Sequence, residues 1–270
     1  MIHESGVLVI QGRELEVAWA GPLPHEAPTL VLLHEGLGSV ALWKDFPHRL
    51  AEATGCGVLA YSRAGYGRSA PVDLPRPLTY MHEEAREVLP RILDAANIQQ
   101  AVLVGHSDGA SIALINASAV RDPRVRGLVL MAPHVFTEPM CLDSIRQARE
   151  AYNTGRLREG LARYHVNVDV AFRGWNDAWL DPGFEAWNLE GFIPGLTCSM
   201  LLIQGYDDEY ATRAQLDAIE AGTSAPCRVV WLDDCRHSPH RDRPDTTVSV
   251  IQEFISQLPL TSFAKSSSHE

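Results

Sequence analysis

The sequence has no apolar run near the ~18 residues that a membrane-spanning helix requires. It has no C-x-x-C pair, and its five cysteines are an odd number scattered from Cys56 to Cys235. That pattern excludes a disulfide framework and argues against a zinc site, although Cys227, Cys235, His237 and His240 fall close together in sequence. Basic residues are in deficit, 23 against 34 acidic ones, for a net charge of -11. General nucleic-acid binding, which needs Lys and Arg against phosphate, is therefore not expected. No basic segment followed by an apolar core opens the chain, so a secretory signal is not expected, and a cytoplasmic protein is. What is present is ordinary for a soluble globule: 270 residues, 46% hydrophobic and 21% charged, enough to bury a large core without staples.

The apolar runs alternate with helical spacings. Val7 to Ile10 and Glu14 to Ala20 flank Gln11-Gly12-Arg13, as a hairpin would. Further strands are expected at Thr29 to Leu33, Cys56 to Tyr61, Ala101 to Val104, Val125 to Met131, Met200 to Ile203 and Arg228 to Leu232. Between them, Leu42, Phe46, Leu50 and Ala53 recur at helical spacing, with Gly55 as a stop. Thr79 opens a helix to about Ala96, and helices are expected over Ser107 to Val120, Thr212 to Ala221 and Pro244 to Leu258. The fold class is α/β: a mostly parallel sheet covered by helices on both faces.

One segment breaks the alternation. Between Met131 and Cys198 the spacing predicts helices over Leu142 to Tyr152, Arg156 to Tyr164 and Asp177 to Asn188, and no strand. The expected division is a core over 1–133 and 196–260, a helical insertion over 134–195, and a polar, disordered tail over 261–270. Ligands on parallel sheets sit beyond the carboxyl ends of strands, so such an insertion would roof a site there.

Gly105-His106-Ser107-Asp108-Gly109 lies between an apolar strand and an apolar helix. This is the context in which G-x-S-x-G makes a sharp turn with an exposed serine. A serine nucleophile needs a base, and the base an orienter. Of the 11 histidines, His237 follows the last strand and precedes the last helix. Asp208 closes the preceding strand, and spacing alone does not separate it from Asp207 and Glu209. Amide donors for an oxyanion are expected from Asp108 and from the loop His34-Glu35-Gly36-Leu37-Gly38, with Gly36 or Leu37 as the second donor. That loop lacks the Lys-Ser/Thr ending of a phosphate-binding loop and the third glycine of a dinucleotide fingerprint. His106, His134, Tyr164, Trp175, Trp179 and Trp187 are candidate substrate-binding residues, although aromatic pockets and aromatic cores share one sequence signature.

Taken together, these motifs resemble the α/β-hydrolase family over nearly the whole chain. The resemblance is carried by the His34 to Gly38 loop, the turn Ser62-Arg63-Ala64-Gly65-Tyr66-Gly67-Arg68-Ser69, the Ser107 turn, Gly205-Tyr206-Asp207-Asp208, and His237-Ser238-Pro239. It implies a Ser107–His237–Asp208 triad, with Asp208 favoured over Asp207 as the last position of Gly-x-x-Asp. It also implies a helical cap that governs substrate choice, and no metal or organic cofactor. The implied activity is hydrolysis of a small, partly hydrophobic carboxylic ester. Alternatives are lactone or carbon–carbon bond hydrolysis, the latter needing a basic anchor among Arg63, Arg146, Arg163 and Arg173, or a non-catalytic binding protein. The partner expected is a small molecule, with a homodimer left open. Three departures from the family pattern stand out: Glu35 replaces a glycine, Ser62 an aspartate and Arg236 a glycine.

Overall fold

The computed structural model describes residues 4–261. Eight strands form one sheet: β1 (Glu4–Ile10), β2 (Arg13–Ala20), β3 (Thr29–Leu33), β4 (Gly57–Tyr61), β5 (Ala101–His106), β6 (Val125–Met131), β7 (Ser199–Gly205) and β8 (Cys227–Leu232). Their order is β1-β2-β4-β3-β5-β6-β7-β8. β1 and β2 form the expected hairpin, with Gln11 and Gly12 both at positive φ (51° and 76°), the geometry that suits the right-handed twist of two paired strands. β2 is antiparallel to β4, and every later pairing is parallel.

The central strands β3, β4 and β5 are buried along their whole length, which explains their unbroken apolar sequence. Their side chains alternate between two cores. On one face Leu30, Leu32, Val58, Val102 and Val104 pack with Phe46 and Leu50 of α1 (Phe46–Thr54). On the other, Val31, Leu33 and Leu103 meet α2 (Tyr80–Glu83), a π-helical turn over Glu84–Val88, α3 (Leu89–Ala95) and α4 (Asp108–Ala119). Gly55 ends α1 at φ 69° and donates its N–H to Ala51 O. Thr79 does not cap the helix it precedes; its hydroxyl instead donates to Glu83 Oε1 at 2.6 Å.

Three helices, α5 (Pro139–Asn153), α6 (Arg156–Leu161) and α7 (Val168–Trp179), are inserted between β6 and β7, as a helical cap. The only extended pairing within this insertion, among the described residues, is a single bridge between Phe136 and Asn188. The helix expected over Asp177 to Asn188 is displaced. α7 lies earlier, because Val168, Ala171, Phe172, Trp175, Ala178 and Trp179 form its buried stripe. It stops before Asp181-Pro182, where proline lacks the N–H to continue and the Asp181 carboxylate accepts from Gly183 N at 2.7 Å. The helix expected over Arg156 to Tyr164 likewise ends at Leu161. The chain returns to the sheet through 3-10 turns at Pro182–Phe184 and Glu190–Gly195. α8 (Ala214–Gly222), α9 (Pro239–Asp242) and α10 (Pro244–Gln257) complete the fold, α10 packing beside α1. The tail expected to be disordered lies outside the described residues except for Thr261, whose N–H donates to Gln100 Oε1 at 2.9 Å.

Candidate active site

β5 ends in the turn that presents Ser107. The serine sits at φ 54°, ψ -119°, a strained backbone for a residue with a side chain. Its neighbours must be glycine. A Cβ on Gly105 would lie 2.4 Å from Gly109 O, and one on Gly109 would lie 1.9 Å from Leu33 O. The turn is therefore pressed against β3, and Ser107 N donates to Met131 O at 2.9 Å on its other side.

His237 lies in the loop after β8, with Nε2 3.0 Å from Ser107 Oγ. Its Nδ1 lies 2.9 and 3.0 Å from the two Asp208 oxygens. An N–H at Nδ1 donating to the carboxylate leaves Nε2 free to accept from the serine hydroxyl. Burial disfavours charge on this imidazole, but the Asp208 carboxylate outweighs burial and holds the His237 pKa above its usual value. Burial would push the Asp208 carboxyl up; His237 and the Tyr210 N–H overcome that and hold it low. Asp208 also accepts from Gln204 Nε2 at 2.6 Å and from Tyr210 N at 2.8 Å, so it is fixed from three directions. Asp207 is exposed, whereas both Asp208 oxygens face His237 Nδ1, so geometry separates the two aspartates that spacing left together.

The triad opens onto a cavity of about 180 Å³ lined by the Glu35-Gly36-Leu37 loop, Ser107-Asp108, His134, Trp175 and Trp179, among others. All three candidate oxyanion residues, Gly36, Leu37 and Asp108, border it with Ser107. The loop is braced from behind. Arg63 N donates to His34 Nε2 at 3.0 Å and Arg63 Nη2 to Glu35 O at 2.9 Å. From the cap side, His165 Nε2 donates to Leu37 O at 3.0 Å while its Nδ1 accepts from Gly67 N at 2.9 Å. Trp175 covers Gly36 so closely that a Cβ there would lie 2.2 Å from the indole.

The candidate substrate residues divide. Trp175, Trp179, His106 and His134 border the cavity. His106 is fully buried and also serves the backbone: its Nε2 donates to His237 O at 2.7 Å, and its Nδ1 stands 3.5 Å from Glu35 Oε2. His134 packs edge-on to Trp179 and beside His237, and its Nδ1 has no hydrogen-bond partner. Burial, with His237 nearby, pulls the His134 pKa down to about 3, so it is neutral near pH 7. Trp187 is not at the cavity; it stacks on Phe184 at 5.2 Å, behind Trp179. Tyr164 borders a separate depression with Leu157, Arg163 and Arg241.

Several contributors escaped the sequence reading. Glu35, Cys141, Ile145, Glu209, Tyr210 and Ser238 also line the cavity. The Asp108 carboxylate turns inward, accepting from Tyr80 OH at 2.6 Å and Trp179 Nε1 at 3.2 Å, with Arg63 Nη2 at 3.6 Å. A polar side chain in so apolar a helix was the available signal. Ser62, standing at the aspartate position of the family, donates to Glu16 Oε2 at 2.7 Å and accepts from Val40 N at 2.9 Å; Glu16 Oε2 also accepts from Arg68 N at 3.0 Å. Among the described residues no group of three His, Cys, Asp or Glu side chains is placed to hold a metal ion, and no helix is long and apolar enough to cross a membrane.

Comparison with known proteins agrees with this geometry. A stretch of 108 residues is 38% identical to RutD of Azorhizobium caulinodans, spanning 40% of this chain and only 38% of that protein's length. Over 272 residues the chain is 25% identical to a 2-hydroxymuconate semialdehyde hydrolase of Pseudomonas sp., covering 91% of this chain and 94% of the relative. The fold superposes on the enol-lactonase from Burkholderia xenovorans with a TM-score of 0.70 at 20% identity, covering 93% of this chain and 100% of that one. The profile of the alpha/beta hydrolase family matches residues 30–250. With that match, the strand order and the Ser107–His237–Asp208 geometry, the chain belongs to the alpha/beta hydrolase family and carries its serine-hydrolase triad.

Proposed function

We propose that the protein hydrolyses a small, partly hydrophobic carboxylic ester through an acyl-enzyme. The observation that carries this reading is the hydrogen-bonded line from Asp208 through His237 to Ser107, opening on a cavity of about 180 Å³. That volume lies below the usual range for drug-sized ligands, which favours a short acyl group. Ser107 Oγ attacks the ester carbonyl as His237 Nε2 takes its proton, and Asp208 stabilises the imidazolium that results. The N–H groups of Asp108 and of Gly36 or Leu37 receive the oxyanion. His237 returns the proton to the departing alkoxide. Water, deprotonated by the same imidazole, then attacks the acyl carbon and releases the acid and Ser107.

In this reading the segment over 134–195 is the cap on a core over 1–133 and 196–260. Trp175 and Trp179 offer the acyl chain an apolar wall, and His134 offers a neutral polar contact. The five cysteines are unpaired, which supports a reducing, cytoplasmic setting. The names of the relatives make lactones the second substrate class to assay. A product-resolved screen of short-chain esters, lactones and ring-cleavage acids tests the proposal. Turnover of esters that disappears in Ser107→Ala supports it, and turnover confined to another class overturns it.

A further inference from the structure

The walls of the Ser107 cavity are notable for their charge. Among the described residues, neither Lys nor Arg lines it. The four arginines that could have anchored an acidic substrate lie elsewhere. Arg63 is buried, with Nη2 donating to Glu35 O and facing Asp108. Arg146 pairs with Asp143 at the surface, Arg163 borders a separate depression, and Arg173 is exposed. The histidine best placed to meet an acyl chain, His134, is neutral near pH 7.

Carboxylates, by contrast, are present. Glu209 lines the cavity but is paired with Arg236 at 3.1 Å. Glu35 has no Lys or Arg partner among its ion pairs; its nearest is His106 Nδ1 at 3.5 Å. Burial would favour the neutral acid, yet the contact with the His106 imidazole holds its carboxyl well below the usual range. Glu35 therefore stands as an anion in the loop that borders the nucleophile, where low dielectric strengthens repulsion of like charge.

We propose that this cavity admits acyl groups without an anionic group, and that Glu35 is the residue that turns away carboxylate-bearing ones. The inference rests on the ester-hydrolase reading and narrows it to a substrate class. It separates this chain from any enzyme that must grip a substrate acid.

The test compares p-nitrophenyl butyrate with the p-nitrophenyl monoester of succinate, of equal chain length. Wild-type kcat/KM should favour butyrate by about tenfold or more, and Glu35→Gln should narrow that ratio by roughly threefold or more. Equal values in the wild type, or a ratio unmoved in folded Glu35→Gln protein, overturn the proposal. Binding to the Ser107→Ala protein supplies a readout without turnover. Butyramide should bind about tenfold more tightly than succinamate, as judged by NMR titration. If neither ester is hydrolysed, the ester reading fails, and this binding ratio still decides the charge preference. Should Glu35→Gln not fold, Glu35→Met supplies the uncharged side chain, and a ratio unmoved in that folded variant overturns the role of Glu35.

Discussion

Trp179 Nε1 donates to Asp108 Oδ1 at 3.2 Å, joining a helix of the cap to the residue that follows the nucleophile. Tyr80 OH closes the same junction, donating to Asp108 Oδ2 at 2.6 Å while accepting from Trp179 Nε1 at 3.1 Å. The backbone N–H of Asp108 is a proposed oxyanion donor, so its position and the seating of α7 depend on one carboxylate. Removing one partner from such a buried network leaves the others unsatisfied, at a cost of about 1–3 kcal/mol per neutral group and more for a charged one.

Ser107→Ala should fold as the wild type does and lose about 10⁴-fold or more of its turnover. An organophosphonate probe should add its mass to Ser107 in the wild type alone. Unlabelled Ser107 in active enzyme would remove it from the mechanism.

Asp208→Asn should lower kcat by roughly 10⁴-fold, because an amide no longer holds the His237 tautomer that accepts from Ser107. Asp207→Asn should stay within about twofold, as that side chain is exposed and outside the triad. Steady-state kinetics of the two variants check this, and a reversed order would contradict the 2.9 Å contact between Asp208 and His237.

Activity and stability should respond to pH through different histidines. His237 must be neutral to accept a proton and its pKa is raised, so kcat/KM should fall as pH drops through a value above 6.5. His34, His134 and His240 are held below 6.5 chiefly by burial. From about 6.5 down to about 3, the range set by His134, the unfolded chain binds protons that the fold refuses. Each such group removes about 1.4 kcal/mol of stability per pH unit once below its unfolded value. His237 acts oppositely: its contribution is complete below its unfolded pKa and is lost as pH rises through the folded one. Denaturant midpoints should therefore fall from pH 7 to pH 5, and His134→Gln should flatten that slope. An unchanged slope would mean that His134 takes up its proton in the folded state.

Trp175 and Trp187 should separate in function. Trp175→Ala opens the cavity wall over Gly36, and should change the ratio of kcat/KM between bulky and short acyl esters by about tenfold. Trp187→Ala removes a side chain stacked on Phe184, and should cost about 3–5 kcal/mol of stability while leaving that ratio alone. Thermal unfolding run beside the kinetics distinguishes the two, and equal effects on the ratio would refute the assignment.

The sequence revealed what local sterics enforce. Only glycine fits at 105 and 109, so the turn at Ser107 was legible, and the ends of β7 and β8 brought Asp208 and His237 into place. The insertion was visible as a gap in strand spacing, but its last helix was misplaced because Asp181-Pro182 ends α7 and the following residues fold as short turns. Partnerships between distant positions were not legible. Glu35 meets His106, His165 reaches Leu37, and Asp108 receives Trp179 across segments far apart in the chain. Nor could composition rank the tryptophans, since a side chain facing a cavity and one facing another ring both read as buried aromatic. Neighbours diverged as well: His165 braces the loop while Tyr164 turns to another depression.

The carboxylate that Glu16 extends from β2 to Ser62 and Arg68 N makes positions 16 and 62 conditional on one another. Restoring the family's aspartate by Ser62→Asp would set two acids against each other within a hydrogen bond's length, and one would have to protonate or swing out. The same change made together with Glu16→Ser returns a single carboxylate to the turn. A substitution that looks like a return to the common pattern is thus harmful alone and tolerable in company, so this turn can be exchanged between relatives only together with its partner position on β2.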